Sequence, residues 1–214
     1  VIPNVLASRY ASQQMVDLWS AEHKIVLERQ LWLAVLRAQK ELGVDVPDAA
    51  LTAYEAVVHT VDLASIAERE RVTRHDVKAR IEEFSALAGH EHVHVGMTSR
   101  DLTENVEQLQ VRDALLVVRD RCVAALERLA GLAVAYSDTA ITGRSHNVPA
   151  QTTTLGKRFA SAADELLVAL GRLEQLIDRY PLRGIKGPVG TAQDMLDLMG
   201  GDEARLGRLE SAVA

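Results

Sequence analysis

The sequence has a single cysteine, Cys122, among its 214 residues, so it cannot form an internal disulfide bond. One unpaired cysteine suits a protein of the reducing cytoplasm. No apolar run reaches the roughly 18 residues that a membrane-spanning helix needs. The first residues, Val1-Ile2-Pro3-Asn4, also lack the basic and apolar regions of a secretory signal. We therefore expect a cytoplasmic protein with no membrane partner.

Aromatic side chains are also scarce, at 4%, and the net charge is −6. A negatively charged protein has no general attraction for nucleic acid or for an anionic membrane, so we expect neither as a partner. Any anionic ligand must be held by a local cluster of positive groups and backbone amides. The abundant residues are Leu, Ala, Val, Glu and Arg, which favour helices.

Helical spacing of apolar residues dominates from about Ser20 onward. Ser20 has the character of an N-cap, and Gly43 supplies a stop. Pro47 opens a short helix, and another is predicted over residues 77–88, ending at Gly89. These local signals predict an N-terminal helical domain over residues 1–97.

The longest predicted helix covers residues 102–135, where the first glycine is Gly131 and proline is absent. At ~1.5 Å per residue it forms a rod of roughly 50 Å. Thr98 and Asp101 have the form of a capping box at its start. The centre, residues 115–118, is four consecutive apolar residues, which indicates burial on most sides. The helix is either central to one subunit's own bundle or also packed against neighbouring subunits.

A second long helix is predicted after Pro149, with that proline at its first position, and Pro181 ends it. A further helix begins near Asp202, and we find no convincing strand. The fold class expected is all-α. Residues 98–214 are expected to be the first long helices of an elongated bundle that is incomplete at its C-terminus.

Four histidines lie between positions 75 and 94. His90, His92 and His94 alternate, and on a strand they would share one face and could bind a metal. No Asp or Cys accompanies them at ligand spacing, so we favour a loop that connects helices, without a metal.

Three further groups could bind or transform a ligand. Thr98 and Ser99 stand at the start of the long helix, where free N–H groups favour either an ordinary cap or a bound anion. Arg74-His75-Asp76 is either a charged helix start or a binding cluster. His146, in a glycine-containing turn, has an imidazole that can donate or accept a proton near neutrality.

In their order and spacing, several short motifs resemble the fumarase/aspartase superfamily and, within it, the adenylosuccinate lyase family. The resemblance covers essentially the whole chain and rests on these segments: Ser8-Arg9-Tyr10-Ala11-Ser12, Arg74-His75-Asp76-Val77, His94-Val95-Gly96-Met97-Thr98-Ser99-Arg100-Asp101, Gly143-Arg144-Ser145-His146, Thr152-Thr153-Thr154-Leu155-Gly156-Lys157 and Gly187-Pro188-Val189-Gly190-Thr191.

The resemblance implies an anti β-elimination that releases fumarate from a succinyl nucleotide, without a metal or organic cofactor. It also implies a homotetramer whose active sites combine residues from different subunits. His146 would be the general acid. The residues implied to bind substrate are Arg9, Tyr10, Arg74, His75 and Asp76 at the nucleotide, Thr98 and Ser99 at a carboxylate, and His94 near the phosphate.

Two departures from the family pattern matter. Ser145 stands where many relatives have Thr, which keeps the hydroxyl. The family's general base is a serine in a Ser-Ser-x-Met-Pro-x-Lys-x-Asn-Pro signature, which these 214 residues do not contain. We therefore expect this chain alone to be inactive and the full-length protein to be active. The alternatives are another superfamily member, such as an argininosuccinate lyase, or a helical scaffold without catalysis.

Overall fold

The fold is almost entirely helical in a computed structural model that describes residues 4–213. This confirms the predicted all-α class, with one small hairpin added. The elements are α1 (Val5–Arg9), α2 (Gln13–Leu18), α3 (Ala21–Glu41), α4 (Asp48–Val57), α5 (Leu63–Thr73), α6 (Asp76–Ala88), α7 (Ser99–Ala135), β1 (Ala140–Ser145), β2 (Val148–Thr154), α8 (Leu155–Asp178), α9 (Gln193–Leu198) and α10 (Glu203–Val213). Among the described residues, no helix is long and apolar enough to cross a membrane.

Local capping sets the ends of the early helices where the sequence predicts them. The Ser20 hydroxyl accepts a hydrogen bond from the His23 amide at the start of α3. Gly89 ends α6 with a positive φ of 71°, a left-handed conformation that glycine adopts without strain. The helix predicted over residues 77–88 is therefore correct to within one residue.

The described chain divides into two compact units, residues 4–111 with 181–213, and residues 112–180. In the first unit, α3 packs against α4 and α10, and α6 packs against α4 and α5. The core of this unit is centred on three nearly inaccessible side chains, Trp32, Tyr54 and Phe84. The Trp32 and Phe84 rings stack, with their centroids 6.1 Å apart. The predicted boundary at residues 97/98 stays a prediction.

The second unit contains the two strands, which the sequence analysis did not predict. β1 and β2 pair antiparallel, with a register shift after Gly143. Pro149 lies in β2 opposite Arg144, so its prediction as the first residue of a helix is wrong. The β-branched run Thr152-Thr153-Thr154 favours a strand at the positions where the helix was expected to continue. The helix α8 instead begins at Leu155, capped by the Thr154 hydroxyl, which accepts from the Lys157 amide.

The long helix α7 runs from Ser99 to Ala135, close to the predicted range. Its four consecutive apolar residues are not buried together, because Val117 is buried while Val118 is 44% exposed. Val123 and Val134, further along the helix, are 50% and 76% exposed. One copy of the chain therefore leaves part of this apolar helix uncovered.

Candidate active site

The centre of the predicted binding cluster is His75, the N-cap of α6. Its Nδ1 accepts a hydrogen bond from the Lys78 amide at 3.3 Å. With Nδ1 occupied as an acceptor, Nε2 is the ring nitrogen left for a second partner. Nε2 lies 3.5 Å from the Ser99 hydroxyl, at the start of α7. The fold thus brings together two site residues that are 24 positions apart in the sequence.

Asp76 lies beside His75, and its carboxylate is held by Arg80, one helical turn later. Arg80 also forms an ion pair with Glu28, a fully buried carboxylate of α3. Burial raises the pKa of Glu28, whereas the Arg80 guanidinium opposes that rise. Two ion pairs that share Arg80 therefore link the buried Glu28 in the core to the half-exposed Asp76 at the site.

His94 sits in the loop between α6 and α7 with a positive φ of 71°. Its Nδ1 accepts a hydrogen bond from Trp32 Nε1 at 3.0 Å. Burial lowers the pKa of His94 to about 4, while the Asp101 carboxylate raises it and His75 lowers it further. His94 is consequently a neutral imidazole near pH 7.

Two core side chains hold the backbone of the same loop. Gln39 of α3 donates to the Val95 carbonyl at 2.8 Å. The Tyr54 hydroxyl bonds to the His90 carbonyl and accepts from the His92 amide at 3.2 Å. The loop that carries His94 is therefore fixed by α3 and α4.

Asp101 is fully buried and ties the start of α7 to a second loop. Its carboxylate accepts from the Thr98 amide at 3.0 Å, as one half of the predicted capping box. It also accepts from the amides of Lys186 at 2.9 Å and Gly187 at 3.1 Å. Arg183 forms an ion pair with the same carboxylate, over a distance of 2.7 Å. The carboxylate also lies in the first turn of α7, where the positive end of the helix dipole stabilises a negative charge. Thr98 therefore takes part in this cap through its backbone amide, and its neighbour Ser99 is the residue that reaches His75.

Three other predicted residues are exposed. Arg74 caps α5 in a left-handed conformation, with φ of 53°. Arg9 and Tyr10 lie at the end of α1, and Tyr10 is 74% exposed. Within the described part of the chain, no side-chain hydrogen bond or ion pair links Arg9 or Tyr10 to His75, Ser99 or His94.

His146 belongs to the second unit, at the tip of the hairpin formed by β1 and β2. His146 and Asn147 are its two turn residues, with φ of 46° and 65°. Positive φ at both positions is what a tight two-residue hairpin requires, and Asn tolerates it better than most residues. Arg144 Nη1 donates to the Asn147 carbonyl at 3.0 Å and braces the turn. The His146 imidazole is thus presented to solvent on a short, defined turn.

The alternating histidines do not assemble a metal site in the described residues. The His90 and His92 rings lie 6.1 Å apart, while His94 turns away to Trp32. Across residues 4–213 no group of three His, Cys, Asp or Glu side chains has the geometry to hold a metal ion.

Sequence reasoning gave no site role to Trp32, Arg80 or Arg183. Arg80 had a local signal, because it follows Asp76 by four residues on one helix face. The partners of Trp32 and Arg183 lie 62 and 82 positions away, and no local pattern indicates them.

Comparison with known proteins gives consistent results. The sequence model of a family described as lyase matches residues 8–195. Adenylosuccinate lyase of Schistosoma mansoni is 33% identical over 210 residues, covering 97% of this chain and 44% of that protein. Adenylosuccinate lyase of Saccharomyces cerevisiae is 36% identical over 215 residues, again covering 97% and 44%. The chain therefore spans less than half the length of these curated relatives.

The fold is similar to that of a solved fumarate lyase from Mesorhizobium sp. BNC1. The two share 26% sequence identity and a TM-score of 0.81, over 95% of this chain and 47% of that one.

Proposed function

The chain belongs to the lyase family, and we propose that the protein containing it releases fumarate from adenylosuccinate, forming AMP. The same elimination from the succinyl-aminoimidazole-carboxamide ribotide would give this protein a second step in purine nucleotide biosynthesis. The observation that carries the proposal is the similarity, over 97% of the chain, to two adenylosuccinate lyases. The cluster of His75, Ser99 and His94 supports it, because it offers hydrogen-bond donors for an anionic substrate.

The proposed reaction is an anti β-elimination. A base removes a proton from the Cβ of the succinyl group, the C–N bond breaks, and the departing nitrogen takes a proton. His146 is the proposed acid, since its exposed imidazole on a braced turn is able to donate at that nitrogen. Arg74, His75 and Asp76 are proposed at the nucleotide, together with Arg9 and Tyr10.

Thr98 and Ser99 are proposed to bind a substrate carboxylate, and His94 to lie near the phosphate. Hydrogen-bond donors near a carboxylate stabilise the negative charge that develops as the proton leaves. The base is proposed to lie outside these 214 residues, which lack the serine signature. No metal or organic cofactor enters the proposed reaction.

We also propose a cytoplasmic homotetramer whose active sites combine residues from different subunits. The exposed apolar residues of α7, among them Val118, Val123 and Val134, offer a surface for packing against further helices, either of the same subunit outside these 214 residues or of a second copy. Sedimentation of the full-length protein is expected to give the mass of four subunits, and a one-subunit mass would contradict the proposal.

The substrate is tested with the full-length protein and two succinyl compounds. Fumarate absorbance is followed after addition of adenylosuccinate or of argininosuccinate. We expect fumarate from adenylosuccinate alone. Fumarate from argininosuccinate alone would assign the protein to a different branch of the superfamily, and release from neither would favour a scaffold.

A further inference from the structure

The side chain of Trp32 makes one polar contact in the core, and that contact is with His94. Trp32 is 1% exposed, and its indole stacks on Phe84 with the centroids 6.1 Å apart. The His94 ring meets it edge-on, at a centroid distance of 5.8 Å and an interplanar angle of 90°. This geometry directs the indole N–H at His94 Nδ1, over a distance of 3.0 Å.

The chemistry of the two rings decides where the His94 proton lies. An indole nitrogen can only donate, so His94 Nδ1 must carry a lone pair. An imidazole whose Nδ1 accepts is neutral and bears its single proton on Nε2. Protonation of Nδ1 would break the bond and leave the Trp32 N–H unpaired in the core, which is unfavourable.

We propose that Trp32 is a positioning residue that fixes His94 as a neutral Nε2–H donor, directed to the phosphate of the substrate. The phosphate assignment rests on the proposed function, whereas the Trp32–His94 pairing does not. His94 would then contribute a directed hydrogen bond but no positive charge. The groups from neighbouring helices that act on it are Asp101 of α7 and His75 of α6.

Two further features support a positioning role. Burial already lowers the pKa of His94 to about 4, so the neutral form that the indole requires is also the form that burial favours. The loop is held independently, since Gln39 donates to the Val95 carbonyl at 2.8 Å. The hydrogen bond from Trp32 is therefore not the only contact that holds this loop in place.

The pairing is tested directly by NMR of the ¹⁵N-labelled chain, without any substitution. Long-range proton–nitrogen spectra distinguish the two imidazole tautomers. We expect His94 to show the Nε2–H tautomer and to hold it from about pH 8 down to about pH 5.5, because its pKa lies near 4. A proton on Nδ1, or titration of His94 near its ordinary pKa, would overturn the proposal.

A matched pair of variants separates the hydrogen bond from the bulk of the indole. Trp32→Phe keeps an aromatic ring and removes the donor, and Trp19→Phe changes the chain's other, 48% exposed tryptophan. In Trp32→Phe we expect a mixture of tautomers and a rise of about one unit in the pKa of His94. Trp19→Phe should change neither. If circular dichroism shows Trp32→Phe to be unfolded, the wild-type tautomer alone decides the question.

Kinetics of the full-length protein then test the assignment to the substrate. Trp32→Phe should raise KM for adenylosuccinate by ~5-fold while kcat changes less than twofold, since a binding contact is loosened. Loss of kcat with KM unchanged would overturn the assignment to the phosphate. If His94 shows the predicted tautomer but the full-length protein releases no fumarate, the Trp32–His94 pairing is supported and the proposed function is contradicted.

Discussion

The buried carboxylate of Asp101 offers the sharpest test of how the site is held together. We consider Asp101→Asn, which preserves the shape of the side chain and removes its charge. One carboxylate oxygen accepts from Arg183, Lys186 and Gly187, and the other accepts from Thr98 and shares the Gly187 amide. An asparagine retains only one acceptor oxygen, so its NH₂ group must face one of these donors.

The expected loss follows from the bonds that are broken. The substitution removes the Asp101–Arg183 ion pair and turns at least one amide hydrogen bond into a contact between two donors. Breaking a buried pair costs about 3–5 kcal/mol, and Arg183 recovers part of this because it is 19% exposed. We therefore expect the free energy of unfolding to fall by about 2–4 kcal/mol.

The assay is urea unfolding followed by tryptophan fluorescence. Both tryptophans, Trp19 and Trp32, belong to the same unit as Asp101, so the signal reports the unit that is perturbed. Glu55→Gln is the control, because Glu55 pairs with Arg37 at 2.6 Å in that unit but is 43% exposed. Its loss should be about 0.5 kcal/mol or less. Equal and small losses in both variants would refute the assigned role of Asp101.

Two further predictions concern stability. In thermal unfolding, Gly156→Ala should destabilise the chain by about 2 kcal/mol or more, because a Cβ would lie 2.4 Å from the Ala133 carbonyl oxygen. The control Gly171→Ala, whose Cβ would have no neighbour within 4 Å, should be neutral or slightly stabilising. Equal effects of the two substitutions would contradict the close approach at Gly156. Because folding lowers the pKa of His94 from 6.5 to about 4, its contribution to stability is complete above about pH 6.5 and is lost as pH falls toward 4. The linkage of His94 alone lowers the free energy of unfolding by about 2 kcal/mol between pH 7 and pH 5. The measured difference between the two pH values should therefore change by about this amount in His94→Gln relative to the wild type, and an identical difference in both proteins would contradict the prediction.

The parts of the fold that the sequence predicts well are those set by local interactions. Ser20 and Gly89 define helix ends through hydrogen bonds and dihedral angles within a few residues, so their roles follow from the sequence. The hairpin was missed because most of its residues are exposed on both faces, and such strands show no apolar alternation.

The site shows the same division between local and distant contacts. Thr98 and Asp101 were predicted as a local capping pair, and the amide bond of 3.0 Å confirms one half of it. The second role of Asp101, toward Lys186 and Gly187, depends on residues more than 80 positions away. Tertiary packing alone creates such contacts. The assignment of His146 as the acid stays a prediction, because it came from resemblance to a family.

That assignment is tested most directly by His146→Gln in the full-length protein, with steady-state kinetics on adenylosuccinate. Removal of a general acid should lower kcat by about 10²–10⁴-fold while KM changes little. His59→Gln, at another exposed histidine, should leave both constants unchanged. A kcat of His146→Gln equal to that of the wild type would contradict the proposed mechanism.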